Sequence, residues 1–359
     1  TYLAAVVWEW FAAFNTPRWQ LRDSIGAYLE ARRERLYPGD ALTLSHQQSV
    51  LGSPEQEYRA AMAQFAADSS QAFNAMWSSI RARRPEEALR YYALRDTTVA
   101  WRRDWQARDI WAAQAYHMLG RFEEELTLAR AAKAREPRAY GHWAREVSAL
   151  AAMGRTEEIE RIVTESHKLE LERSPDRLLW AAAVELGNHG FIEPARDFAP
   201  RALAGEAQWP DSLRGTADSR TLRRSAFGVL GDYEAAWRLD DEISRRLGAP
   251  ALGNRIIAMR YRVLMGDTTG ALALVDSART QPLSAFASVG WVVPGVPRYY
   301  GVLILAALGR KDDALALLRE ALNNGYRMGA DFGLGPTWQP LKDYPPFQEL
   351  VKLVSCNSD

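Results

Sequence analysis

Apolar and small residues recur three and four positions apart through most of the chain, the spacing that gathers them on one face of an α-helix. Residues 111–137 show the unit most plainly. Trp111, Ala115 and Tyr116 mark the inner face of one helix, and Phe122, Leu126, Ala129 and Ala132 mark that of a second. Gly120 stands between them, where a helix C′ position takes a positive φ, and Pro137 closes the pair. One such pair cannot cover its own apolar stripe, so the pattern predicts further pairs stacked on either side.

The further pairs are present. Turns centred on Gly120, Gly154, Gly190, Gly231, Gly266 and Gly309 succeed one another at intervals of 34, 36, 41, 35 and 43 residues. Weaker turns lie upstream, at Asn15-Thr16-Pro17, at Leu51-Gly52-Ser53-Pro54 and at Arg83-Arg84-Pro85, spaced 37, 31 and 37 on the way to Gly120. Small residues keep a fixed distance from the turn. Ala88, Ala195, Ala236, Ala271 and Ala314 stand five residues after it, and Ala132, Ala202, Ala278 and Ala321 stand twelve after.

A period near 34 with small residues at these places resembles the tetratricopeptide repeat (TPR). Trp143, eleven before Gly154, and Tyr116, four before Gly120, fit the same pattern. Glu125 and Ile159 depart from it, standing where that family has alanine. The resemblance implies an all-α fold, an α-solenoid of about nine degenerate TPR-like helical hairpins. Residues 1–333 are the expected array, with weak repeats over 1–110 and clearer ones over 111–333. Residues 334–359 are the expected capping segment and tail, since Trp338, Pro340-Leu341, Pro346-Phe347 and Leu350 resemble the segment found after the repeats in bacterial signalling proteins. Three stretches, at 116–126, 149–155 and 185–190, resemble the repeat region of multidomain bacterial regulators built on a serine/threonine kinase or a winged-helix domain. Neither of those domains is in this sequence: a Gly-rich loop, an HRD-type loop and a DFG motif are all missing.

Two connections are longer than a hairpin needs. Residues 203–218 carry Trp209-Pro210, and residues 281–298 carry three prolines and Trp291. Long connections in a compact array more often carry function than the hairpins do, and amphipathic Trp rings there are expected at an interface. The apolar start, TYLAAVVWEWFAAF, is interrupted by Glu9 and reads as an amphipathic first helix. A start at Thr1 rather than Met leads one to expect a processed, trimmed or partial chain.

Composition narrows the function classes. Lys+Arg and Asp+Glu number 45 each, and a zero balance argues against a nucleic-acid binder, which needs a basic face. Only five of the 45 cations are lysine, a bias that reads as a GC-rich bacterial genome. The single cysteine, Cys356, can form no internal disulfide and leaves the compartment undecided. No apolar run is long enough to span a bilayer, so membrane contact is expected only through a partner or a segment ahead of Thr1.

Candidate chemistry is sparse. The histidines are 46, 117, 142, 167 and 189, and none pairs with another, or with Cys356, at metal-ligand spacing. His117 and His189 fall in the last turn before a hairpin Gly, where an imidazole is expected to cap carbonyls or face the groove. Glu123-Glu124-Glu125 and Asp240-Asp241-Glu242 read as solvated faces. Residues 101–109 interleave Trp and Arg and read as packing between repeats, with aspartates pairing the arginines. No catalytic, cofactor or metal residue is assigned, and a non-enzyme is expected.

If the hairpins stack as the resemblance implies, their first helices line the concave side. Gln114, His117, Ala144, Ser148, Trp180, Asn188, Arg260 and Tyr299 then face a mixed polar and aromatic groove suited to a peptide or helix. The expected protein-binding residues are Gln114, His117, Trp180, Asn188, Arg260 and Tyr299, with Trp209 and Trp291 in the connections. The function expected is a non-catalytic module or scaffold binding one or more proteins. Its alternatives are an accessory subunit of a larger, even membrane-bound, complex, and the sensory region of a bacterial kinase or transcription regulator.

Overall fold

The computed structural model describes residues 3, 5–7, 9–10, 19–50, 52–94, 106–246, 252–281, 295–326 and 338–355. Every regular element among them is helical. Besides two 3₁₀ turns (Arg33–Arg35 and Ser69–Gln71) and a one-turn helix (Asp211–Arg214), these are in order α1 (Trp19–Glu30), α2 (Pro38–Ser49), α3 (Pro54–Ala67), α4 (Ala72–Arg81), α5 (Pro85–Ala93), α6 (Gln106–Met118), α7 (Phe122–Arg135), α8 (Tyr140–Ala152) and α9 (Thr156–Ser166). Next come α10 (Asp176–Asn188), α11 (Ile192–Glu206), α12 (Ala217–Leu230), α13 (Tyr233–Arg246), α14 (Leu252–Leu264), α15 (Ala271–Thr280), α16 (Gly295–Ala307), α17 (Lys311–Asn323) and α18 (Pro345–Ser355). Helices α2 to α17 pair across their turns into eight hairpins among the described residues, and helical residues 5–7 and 9–10 precede α1. The protein is an α-solenoid. No described helix is long and apolar enough to cross a membrane.

One backbone device closes most of the hairpins. The N–H of Arg121 reaches back to the Tyr116 carbonyl at 3.0 Å while the N–H of Gly120 bonds that of His117 at 3.0 Å. This double closure needs a left-handed residue at position 120, and Gly120 supplies φ +68° with no Cβ to clash. The same pair of bonds recurs at Gly154, Gly190, Gly231, Gly266 and Gly309. At the weaker upstream turn the left-handed residue is Arg83, with φ +58°, and Arg84 N–H bonds the Ser79 carbonyl at 2.8 Å. Gly52 acts differently: Ser53 caps α3 by a capping box with Gln56, and Pro54 opens the helix.

The small residues at fixed distance from the turns are all core. Ala88, Ala195, Ala236 and Ala314 are fully buried, and Ala132, Ala202 and Ala321 join them twelve residues on. They allow the two helices of a hairpin to approach closely. The core itself is a row of clusters along the array rather than one centre, as stacking of repeats requires. Trp338, Leu341, Phe347 and Leu350 join the cluster built by α14 to α17, with Trp338 stacked on Phe347 at 5.2 Å between ring centroids.

Two sequence expectations need correction, and a third falls largely outside the described residues. The acidic triplets are not uniformly solvated: Glu125 is 0% exposed and Asp240 1%, each facing a cation or imidazole across the hairpin. Trp209 is not an open interface ring; it is buried in the middle cluster, with the Arg177 guanidinium 5.3 Å over it. Of residues 101–109, those at 101–105 lie outside the described residues. Asp109 is buried and accepts from Tyr92 Oη at 2.5 Å and from Arg135, partners on neighbouring helices.

Candidate functional site

Two arrangements lie on the face built by first helices, and α10 belongs to both. The first begins at the C-terminal end of α6. His117 is buried, and its carbonyl is already bonded by the Gly120 N–H, so its ring has no capping to do. The imidazole turns inward instead. Its Nδ1 lies 2.7 Å from Glu125 Oε2, and its Nε2 lies 2.8 Å from Glu185 Oε1. His189 completes the group: its Nε2 is 3.2 Å from the same Glu185 oxygen and 3.3 Å from His117 Nε2.

Phe122 walls the group, with its ring edge-on to both imidazoles at 5.1 and 5.2 Å. Arg145 lies beyond it, donating to Gln114 Oε1 at 2.8 Å and standing 3.7 Å from Glu125 Oε1. Burial alone would lower the His117 pKa, but hydrogen bonds it donates to Glu125 and Glu185 reverse this and hold it at about 9. Burial would raise Glu185, yet His117 and His189 hold it at about 2.

The second arrangement is a cavity of about 340 Å³ spanning α10, α12, α14 and α16. Gly187 and Asn188 form one end, Tyr299 and Tyr300 the other, and Arg224, Arg260 and Tyr261 lie between. Aromatic rings set its shape. Tyr233 stacks on Tyr261 at 6.3 Å, Arg260 stands 5.7 Å over Tyr261, and Tyr299 stacks on Tyr326 at 4.1 Å. Arg224 is held through its Nε 3.0 Å from Asp240 Oδ2. Burial works against the Arg224 charge, but Asp240 outweighs it and raises the guanidinium above its ordinary value. A larger cavity of about 700 Å³ lies where the long connection meets α11 and α12, lined by Glu206, Asp211, Arg214, Arg223, Phe227 and Glu242 among others.

The structure gathers three of the expected binding residues, Asn188, Arg260 and Tyr299, in the one cavity across the first helices. It places Gln114 and His117 together at the histidine group. Trp180 is half-buried on the middle cluster, and its Nε1 has no hydrogen-bond partner among the described residues. Trp209 is core, and Trp291 lies outside the described residues. Sequence reasoning did not find Glu125, Glu185, Arg224, Tyr261 or Tyr300. A signal did exist for Glu125: it is an acid in the slot that other hairpins fill with alanine, eight residues after a histidine.

No family model matches the chain, and no curated protein matches its sequence significantly. Among solved structures, a tetratricopeptide repeat protein from Parabacteroides merdae ATCC 43184 is similar at a TM-score of 0.40 and 14% identity, over 83% of this chain and 99% of that one. A chain in the structure of Naa15/Naa10 bound to HypK-THB is similar at a TM-score of 0.31 and 13% identity, over 99% of this chain and 58% of that one. Both likenesses concern the arrangement of helices.

Proposed function

We propose that the chain is a non-catalytic scaffold that binds a partner protein in the groove formed by its first helices. The observation that supports this is the cavity shared by α10, α12, α14 and α16, whose walls combine Arg224 and Arg260 with Tyr233, Tyr261, Tyr299 and Tyr300. Tyrosine and arginine are the residues that most often anchor protein interfaces, because they present large apolar area with a polar tip. The occupant that suits these walls is an extended or helical segment offering apolar side chains to the tyrosines and polar groups to Asn188 and Arg260. The C-terminal segment, through Trp338 and Phe347, caps the last hairpin and keeps its apolar face from competing for partners. A narrower reading, the repeat region of a bacterial regulator, rests on the sequence of residues 116–126, 149–155 and 185–190 alone.

The test is a photo-crosslinking amino acid placed at Leu264, which lines the cavity, and in parallel at Leu272, which is exposed on the second helix of the same hairpin. Crosslinks to one protein from position 264 and not from 272, weakened at least tenfold by Arg260→Ala, support groove binding. Equal capture from both positions, or capture indifferent to Arg260→Ala, would remove the groove from the account.

A further inference from the structure

We propose that His117, Glu185 and His189 bind a divalent first-row transition cation, and that zinc is the ion best suited to their donor set. The three ligand atoms, two imidazole Nε2 and one carboxylate oxygen, converge within 4.8 Å of one another. The separations are 2.8 Å for His117 to Glu185, 3.2 Å for His189 to Glu185, and 3.3 Å between the two ring nitrogens. A cation bound at about 2.0–2.1 Å to each atom of a tetrahedral face requires edges of roughly 3.3 Å, so the three atoms outline such a face.

Two imidazole nitrogens do not approach at 3.3 Å unaided. Two lone pairs repel there; a proton, a metal ion or the shared acceptor Glu185 Oε1, 2.8 and 3.2 Å from the two nitrogens, relieves that repulsion. The donor set and its outer partners suit a metal. Glu125 takes the Nδ1 side of His117, fixing the tautomer that turns Nε2 toward Glu185 and His189. Arg145 stands at the other oxygen of Glu125, so that carboxylate is engaged on both sides and remains outside the ligand set. An acid behind a histidine in this way is the usual outer partner of a metal-bound imidazole. Two imidazoles among three donors favour zinc and its neighbours in the transition series over magnesium or calcium, which prefer oxygen throughout. The Glu185 and His189 side chains keep 17% and 13% of their surface exposed, which leaves a narrow route for the ion and a fourth position for water.

The ligands come from two hairpins that are not sequence neighbours. His117 ends α6, Glu185 lies on α10 and His189 comes directly after it, with the whole α8/α9 hairpin between. Zinc at this point would pin the curvature of the array over that span, on the same helix that lends Gly187 and Asn188 to the cavity.

The experiment uses the full chain, stripped with EDTA, dialysed and titrated with zinc chloride in a calorimeter. The expected result is one zinc per chain with micromolar or tighter affinity. Glu125→Gln, a positioning change outside the ligand set, lowers affinity about 10–100-fold, and His189→Gln or Glu185→Gln lowers it further. A folded wild-type chain that takes up no equivalent overturns the proposal, and so does uptake that survives His189→Gln and Glu185→Gln. Should those variants fail to fold, cobalt in the wild-type chain decides. Two histidine rings with paramagnetically shifted NMR signals sustain the assignment, and any other number overturns it.

Discussion

Glu125 Oε2 lies 2.7 Å from His117 Nδ1, at the position five residues past the turn where Ala88, Ala195, Ala236, Ala271 and Ala314 pack in other hairpins. This exception to the repeat pattern is therefore the partner of a buried histidine. Replacing the acid by the residue that suits the repeat leaves that imidazole without its counter-charge.

Glu125→Ala is accordingly expected to destabilise the chain by about 3 kcal/mol, the cost of removing one partner of a buried ionic pair. Glu125→Gln, which keeps a hydrogen-bond acceptor, is expected to cost clearly less. Urea denaturation monitored by circular dichroism compares them. If Glu125→Ala proves as stable as wild type, the pair contributes nothing to the fold.

Two histidines bias stability in opposite directions with pH. His117 is held at about 9 against an ordinary 6.5, so its contribution is complete below pH 6.5 and is lost as pH rises through 9. His46 is the reverse case. Burial, aided by the nearby Arg81 charge, pushes it to about 4, with Ser78 Oγ 3.1 Å from its Nε2. Stability tied to its neutral ring is present above 6.5 and is lost as pH falls toward 4. Melting temperatures across pH, with EDTA present, should show the penalty of His117→Gln shrinking between pH 6.5 and 9. His46→Gln should flatten the acid limb between 6.5 and 4. Curves that run parallel to wild type would contradict both assignments.

Gly120 and Gly154 share nearly the same backbone, with φ +68° and +69°, but not the same surroundings. A Cβ at Gly120 meets nothing within 4 Å, whereas one at Gly154 would lie 2.6 Å from Cε1 of Phe191. Gly120→Ala should therefore cost about 1 kcal/mol, the backbone penalty alone. Gly154→Ala should cost more, because the Phe191 ring must also move. Thermal melts rank the two; equal losses would mean that the ring yields freely.

Trp338 is 3% exposed and stacks on Phe347 against the last hairpins. Trp338→Ala is expected to remove about 3–5 kcal/mol of local packing and to open an apolar end. Light scattering coupled to gel filtration should then show a larger mass than wild type, and an unchanged mass would argue that the segment does not protect that end.

Much of this architecture can be read from residue spacing, because the turn device and the close helix contact are local. Gly120, Gly154 and their counterparts announce a left-handed residue, and the alanines five and twelve positions later announce where helices meet. First-helix register likewise brings Asn188, Arg260 and Tyr299 to one cavity, since each hairpin repeats the same offset. What spacing cannot convey is how far the stack turns from one hairpin to the next. That rotation brings His117 to His189, 72 residues away and two hairpins along. Trp209 shows the other limit: a Trp-Pro in a long connection looks like surface, but burial is settled by how the connection folds back over α10 and α11. Arg83 hides for a third reason, adopting a backbone state that its side chain disfavours and its neighbours impose.

The bridge from α6 to α10 also alters how the array comes apart. Units that touch only adjacent units melt like a zipper, one after another from either end, and each loss makes the next easier. A bond to the second neighbour breaks that rule. Loss of the α8/α9 hairpin alone leaves His117 and Glu185 still joining the hairpins on either side of it, so the stabilities of the three hairpins from Gln106 to Glu206 are coupled. Fraying from the N-terminal side therefore meets added resistance at α6, where a contact with the second neighbour supplements those with the first.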